Sequence, residues 1–169
     1  MSTKASKPDT PWIVRPYQSA DQAVVDRLYN EGLLVGAVDP RDSAADIENI
    51  HEAYFSDSRD GFWVAQVDVT VVGTIAVAHE VEHTAQVRRL RVDKAWQQSE
   101  LPQALIEMAL HHCRHTGYLK VVFETRFERS ATMDLFAKLG FHYTRARNIS
   151  DRELLEFYLD LYQARKHQA

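Results

Sequence analysis

The sequence predicts an α/β fold with one mixed sheet and helices on both of its faces. Three features carry the prediction. Phe62 to Val67 and Val71 to His79 are apolar-rich runs joined by the turn Asp68 to Thr70, which makes an antiparallel hairpin. Gln86 to Val92 alternates like a strand, Leu101 to Thr116 has helical spacing, and Leu119 to Phe123 is almost continuously apolar. That order is a strand, a crossover helix and a parallel strand covered on both faces. A last helix and two alternating strands complete a mixed arrangement.

In chain order, Met1 to Pro11 is polar, contains two prolines and has no periodicity, so it reads as a flexible tail ahead of one domain over residues 12–163. Trp12 to Tyr17 is the first strand. A helix over Asp21 to Tyr29 enters through Ser19 or Asp21, and Asp42 or Ser43 caps a second over Ala44 to Tyr54. Gly36 to Arg41 separates them, and Asp60-Gly61 turns the chain into the hairpin. Glu80 to His83 is a charged connection to the central strand. The helix Leu101 to Thr116 carries an apolar stripe of Leu105, Ala109 and Cys113 against Glu107, His111 and Arg114, and Gly117 stops it. Another helix runs from Ser130 to Lys138 before Gly140. Strands Phe141 to Arg147 and Glu153 to Leu161 flank an Asn148 to Asp151 turn.

A chain of 169 residues with 45% hydrophobic content can bury one core. A net charge of −4 gives no electrostatic reason to expect nucleic acid or an anionic membrane surface as partner. One cysteine forms no intrachain disulfide, and no apolar segment reads as a signal peptide or a membrane span. The expected compartment is the cytoplasm. Cys113 reads as a buried structural thiol. His111 and His115 share a helix face with Glu107, but no HExxH pattern or further ligand accompanies them, so no metal is expected.

The chemistry concentrates where the strand Gln86 to Val92 meets the helix beginning near Leu101. Helix N-termini leave N–H groups unpaired and carry about half a positive charge, so the loop between Asp93 and Pro102 is the natural phosphate cradle. The entry VRPY (Val14 to Tyr17), the hairpin FWVAQVDVTVVGTIAV (Phe62 to Val77), the strand RRLRVD (Arg88 to Asp93) and LFAKLGFHY (Leu135 to Tyr143) together resemble the GNAT (GCN5-related N-acetyltransferase) superfamily. The resemblance covers Trp12 to Leu161. It implies about seven strands, with a central parallel pair that splays apart to admit acyl-CoA.

It also implies roles for particular residues. Backbone groups of Leu90, Arg91 and Val92 would pair with the pantetheine arm. The loop Gln97, Gln98, Ser99, Glu100, Leu101 and Pro102 would hold the pyrophosphate, with Arg129 at a CoA phosphate. In the family this loop reads Gln/Arg-x-x-Gly-x-Gly/Ala; here the first position is kept and both small residues are replaced. Pro102 has no N–H to give, and Glu100 brings a carboxylate near phosphate. At ~4 Å such a like-charge pair costs roughly 4 kcal/mol at an effective dielectric of 20. Both residues equally suit a helical first turn whatever the function.

For the proton acceptor, the polar connection supplies Glu82 and His83, with Glu80 and His79 nearby and Gln86 where many relatives carry glutamate. For the leaving thiolate, relatives place a tyrosine where this chain has Phe136, which leaves Tyr143 as the nearest substitute. Acceptor contacts are expected at Asp39, Arg41 and Tyr54. Every one of these residues is equally compatible with a plain surface or core role. The reading is an acyl-CoA-dependent N-acyltransferase, using acetyl-CoA and a small-molecule amine by direct attack in a ternary complex. The rival reading is a catalytically inactive binding or regulatory module on the same fold. A homodimer is compatible with both.

Overall fold

A computed structural model describes residues 10–125, 131–149 and 152–162. Arg129, Ser130, most of the expected tail and the tip of the last predicted turn lie outside them. Seven strands form one sheet: β1 (Trp12–Pro16), β2 (Gly61–Val67), β3 (Thr70–Val81), β4 (Thr84–Val92), β5 (Lys120–Thr125), β6 (His142–Ile149) and β7 (Arg152–Asp160). Their spatial order is β1-β2-β3-β4-β5-β7-β6. All neighbours are antiparallel except β4 and β5, the pair that the crossover helix α4 (Leu101–Thr116) makes parallel.

Helix α1 (Gln22–Glu31) covers one face together with two short helices, α2 (Ala45–Glu48) and α3 (Ile50–Phe55). These last two occupy the span expected as a single helix. Asn49, at φ −135° and ψ 57°, breaks it, so Ile47, Ile50 and Tyr54 all reach the core without a continuous turn. Their cluster joins Tyr17, Val25, Leu28 and Phe62 under that face.

The opposite face carries α4 and α5 (Ala131–Lys138). Leu101, Leu105, Ile106, Ala109 and Cys113 of α4 are buried in a cluster that includes Ile75, Val87 and Val121 and extends to Phe136 of α5. Burial pushes the Cys113 thiol up to about 12, as an inert core sulfur requires. Gly117 ends α4 at φ 92°, a left-handed position where a Cβ would be strained. Among the described residues no helix is long and apolar enough to cross a membrane.

Two local features shape the centre of the sheet. The β4–β5 ladder contains only Thr84↔Lys120, Ala85↔Val121 and Gln86↔Val122, after which the strands part. On the other side of β4, the register jumps from Ala76↔Arg88 to Thr74↔Arg91, so Arg89 and Leu90 together oppose Ile75 alone. This is a β-bulge, and Arg89 absorbs it at φ 60°. One extra residue re-aims the rest of the strand, so Arg88, Arg89 and Arg91 all leave the α4 face, while Val87, Leu90 and Val92 stay in its core.

Candidate active site

The parting of β4 and β5 opens a cavity of about 560 Å³. Its walls are Gln86 to Arg91 of β4, Phe123 to Thr125 of β5, and the segment after α1, from Leu33 to Ser43. Open α/β sheets bind ligands beyond the carboxyl ends of their strands, and this cavity has that position.

Arg89 fastens one wall. Its guanidinium donates to both Asp42 and Asp46, with Nε 2.9 Å from Asp46 Oδ2 and Nη2 3.1 Å from Asp42 Oδ1. Although burial works to raise both carboxyls, the hydrogen bonds from Arg89 hold them below the ordinary carboxylate range. Tyr54 adds a donor to Asp46. The loop after α1 is thereby tied to the bulge.

Arg91 is different. It is 9% exposed and, among the described residues, meets no carboxylate; Nε donates to the Tyr29 carbonyl at 2.9 Å and Nη1 to the Leu90 carbonyl at 3.1 Å. Burial and the neighbouring Arg89 charge push it down to about 10, and the Tyr29 ring lies 5.2 Å beneath it.

Glu124 projects from β5 into the same cavity. Arg147 of β6 lies 3.0 Å from its Oε1 and 3.2 Å from Oε2 of Glu156 on β7, so one guanidinium serves two carboxylates. Burial raises the Glu124 carboxyl above its ordinary value against the pull of Arg147, with Glu80 and Glu156 adding to the rise and Arg88 opposing it. A half-buried carboxyl with a raised proton affinity in a cleft is suited to proton transfer.

At the far end of β4 the loop into α4 contains a 3-10 turn (Lys94–Trp96). The Gln97 amide donates to the carbonyls of Leu33 at 3.1 Å and Val92 at 2.9 Å, which pins the loop to the strand. Ser99 Oγ accepts the Leu101 N–H. Among the described residues, the N–H groups of Gln98, Glu100 and Gln103 have no acceptor. The start of a 16-residue helix with three spare donors fits a phosphate group, and the exposed Glu100 side chain is not fixed against it.

The sequence-based expectations divide on this geometry. Leu90, Arg91, Asp39 and Arg41 line the cavity. Val92 is fully buried; its N–H donates to the Gly32 carbonyl at 2.8 Å and its carbonyl accepts from Gln97, so neither group awaits a pantetheine arm. Gly32 permits that approach, since a Cβ there would lie 3.1 Å from Arg91 Cβ and 3.2 Å from the Val92 nitrogen. Glu82 and His83 occupy the exposed β3–β4 turn, at the paired end of β4 and outside the cavity walls. Tyr54, 2% exposed, is a core residue that donates to Asp46 rather than a wall of the cavity. Tyr143 lies half exposed on β6 against Phe157, also outside the walls. Phe136 is fully buried and stacks on Phe123 at 3.8 Å.

Sequence reasoning misses Glu124 because the predicted strand stops at Phe123. A signal is present all the same: a carboxylate directly follows an apolar parallel strand, at its carboxyl end.

Comparison with known proteins gives the cleft a context. A family model described as "Acetyltransferase (GNAT) family" matches residues 23–141. N-acetyltransferase 8B of Homo sapiens is 31% identical over 104 residues, which is 59% of this chain and 46% of that protein. N-acetylaspartate synthetase of Mus musculus is 31% identical over 102 residues, 60% of this chain and 34% of that one. The chain therefore spans between about a third and a half of the length of these curated relatives. Among solved structures, a GNAT-family acetyltransferase from Staphylococcus aureus Mu50 superposes with a TM-score of 0.75 at 17% identity, over 89% of this chain and 99% of that one. The yncA protein of Salmonella typhimurium, solved with its cofactor acetyl-CoA, gives 0.72 at 18% identity, over 90% and 95%.

Proposed function

Since the chain belongs to the GNAT acetyltransferase family, we propose that it transfers an acetyl group from acetyl-CoA to the amine of a small molecule. The observation that carries this reading is the separation of β4 from β5 after three ladder pairs, with the loop into α4 tied through Gln97 to Leu33 of the cavity wall. Acetyl-CoA supplies an activated acyl group as a thioester. The residues of this chain do the rest: Gln98, Glu100 and Gln103 offer N–H groups to phosphate, and Leu90 and Arg91 border the acyl end. The Arg89 clamp holds the Asp39 to Ser43 segment over the acceptor side. N-acetylaspartate synthetase is named for an acetylated small molecule, which favours a small acceptor here. The compartment taken with this reading is the cytoplasm.

One observation favours the rival, a binding module without catalysis. Ser99 Oγ and Pro102 between them remove two of the loop's potential phosphate donors. Thermal unfolding with acetyl-CoA and CoA tests the proposal. A ligand that binds only the native state adds about 2.7 kcal/mol at 100 times its dissociation constant. At roughly 2 to 4 °C per kcal/mol, the midpoint rises by about 5 to 11 °C. No rise with millimolar acetyl-CoA, CoA or longer acyl-CoAs overturns the enzyme reading.

A further inference from the structure

Building on the acetyl-transfer reading, we infer that the acceptor is an amino acid, received with its amino group at Glu124 on β5 and its carboxylate at Arg88 on β4. The two side chains face each other across the gap. Gln86 and Val122 form the last paired couple, and alternation puts Arg88 and Glu124 each two residues further along, on the same face, where the ladder has ended. Both line the cavity.

Their charges are opposite and have not collapsed into an ion pair. Arg88 donates through Nε and Nη2 to Gln86 Oε1, with Nε at 3.0 Å, and among the described residues it makes no salt bridge. It is nonetheless near enough to act electrostatically on Glu124. The other two arginines of the strand cannot take its place. Arg89 is saturated by Asp42 and Asp46, and Arg91 is buried and donates to the carbonyls of Tyr29 and Leu90. Arg88 is exposed; its Nε/Nη2 edge rests on the neutral Gln86 amide and it reaches the Tyr54 hydroxyl. Its charge is met by no carboxylate among the described residues, and its contact with Gln86 can be exchanged for a ligand carboxylate.

A zwitterion matches this pair of opposed charges; a simple amine would leave Arg88 unused, and a simple carboxylic acid would offer nothing to acylate. The cavity volume of about 560 Å³ is of the size that holds a small ligand.

The chemistry balances. Glu124 accepts one proton from the ammonium, which frees the nitrogen lone pair. The C–N bond forms at the acetyl carbonyl carbon as the C–S bond breaks, and the second proton lost by nitrogen ends on the CoA thiolate. Glu124 is faced by Arg147 from β6, Glu156 from β7, Glu80 from β3 and Arg88 from β4, so its proton affinity is a property of that group of charges.

The experiment is steady-state acetylation by the full chain with acetyl-CoA, monitored through release of the CoA thiol. The buried Cys113 adds no background in the folded protein. The acceptors are L-amino acids, aspartate included, each set against its α-amide and its decarboxylated amine. At least one amino acid should exceed its decarboxylated amine by about tenfold to a hundredfold in kcat/KM, as a hydrogen bond to a charged group supplies. Arg88→Gln should collapse that ratio, and Arg88→Lys should restore part of it. Glu124→Gln should lower kcat by about a hundredfold or more and remove the acidic limb of the pH profile, while the acetyl-CoA thermal shift persists.

Equal rates for amino acids and amines, an unchanged ratio in Arg88→Gln, or acetyl-CoA binding with no amino acid acetylated would each overturn the inference alone. A failure to bind acetyl-CoA would overturn the parent reading and this one together. Because Arg88 is exposed, its variants keep the test clear of folding defects even if Glu124→Gln loosens the Arg147 contacts.

Discussion

Replacing Arg89 with glutamine removes four charge-assisted hydrogen bonds to Asp42 and Asp46 and leaves two mostly buried carboxylates facing each other. Side-chain exposures of 15%, 24% and 17% for Arg89, Asp42 and Asp46 put this triad near the buried limit. Breaking one partner of a buried ion pair costs about 3 to 5 kcal/mol. At roughly 2 to 4 °C per kcal/mol the midpoint falls by about 6 to 20 °C at neutral pH. Glutamine meets the same left-handed backbone as arginine, so the loss reports the charges and not the bulge.

The pH dependence has a definite sign. Both aspartates are depressed in the folded protein, so their stabilisation is present above the unfolded value of about 3.9 and is lost as pH falls through the folded values. Without Arg89 the carboxylates repel, protonation relieves them, and the deficit of the variant shrinks as pH drops below about 5. Urea unfolding of the wild type, Arg89→Gln and Asp42→Asn/Asp46→Asn/Arg89→Gln is the assay. The triple variant should be more stable than the single one, because it strands no charge. A single variant within about 1 kcal/mol of wild type at pH 7, or a deficit that grows on acidification, would refute the reasoning.

The geometry makes three further outcomes testable. Glu100→Gln should tighten acetyl-CoA binding at low salt, with the gain fading at high salt, and should cost the apo protein about 0.3 to 1 kcal/mol of helix-dipole stabilisation; calorimetry at two ionic strengths reads both. Phe136→Tyr places a hydroxyl inside the Phe123 and Phe141 ring stack, so the midpoint should drop by about 2 to 12 °C, from about 1 to 3 kcal/mol for an unpaired buried donor. An unchanged midpoint with faster turnover would mean that the hydroxyl reaches the cleft. Gly32→Ala should weaken the α1–β4 contact, since its Cβ would crowd the Leu28 carbonyl and the Val92 N–H, and a lowered midpoint in thermal unfolding checks it.

The elements are legible in the sequence because burial imposes a period. The hairpin, the crossover and the two last strands all alternate or run apolar as their surroundings demand, and the structure reproduces them within a few residues. The break at Asn49 is not legible, as neither glycine nor proline marks it. The bulge leaves only a faint trace: in Val87-Arg88-Arg89-Leu90 two charged neighbours interrupt a strict alternation, and the second of them holds the left-handed angle. The site is less legible still. Glu82 and His83 stand close in sequence to β4, but a turn sends them to its paired end, whereas Glu124 comes from another strand through a register that only tertiary pairing defines. Local pattern specifies which face a residue takes; it does not specify which carboxylate stands opposite which guanidinium.

The brevity of the β4–β5 ladder has a mechanical consequence. Among the described residues three rungs are all the strand pairing between the sheet's first four strands and its last three, so the pairing makes a short seam between two plates, with the α4-side core spanning it. Bending either plate would break many rungs, whereas widening the seam breaks few and works against the shared core. A ligand lodged in the gap acts on the seam directly, as a wedge that fixes its width. The two plates carry Arg88 and Glu124 respectively, so the width of the seam enters the spacing of the opposed charges together with the local partners Gln86 and Arg147.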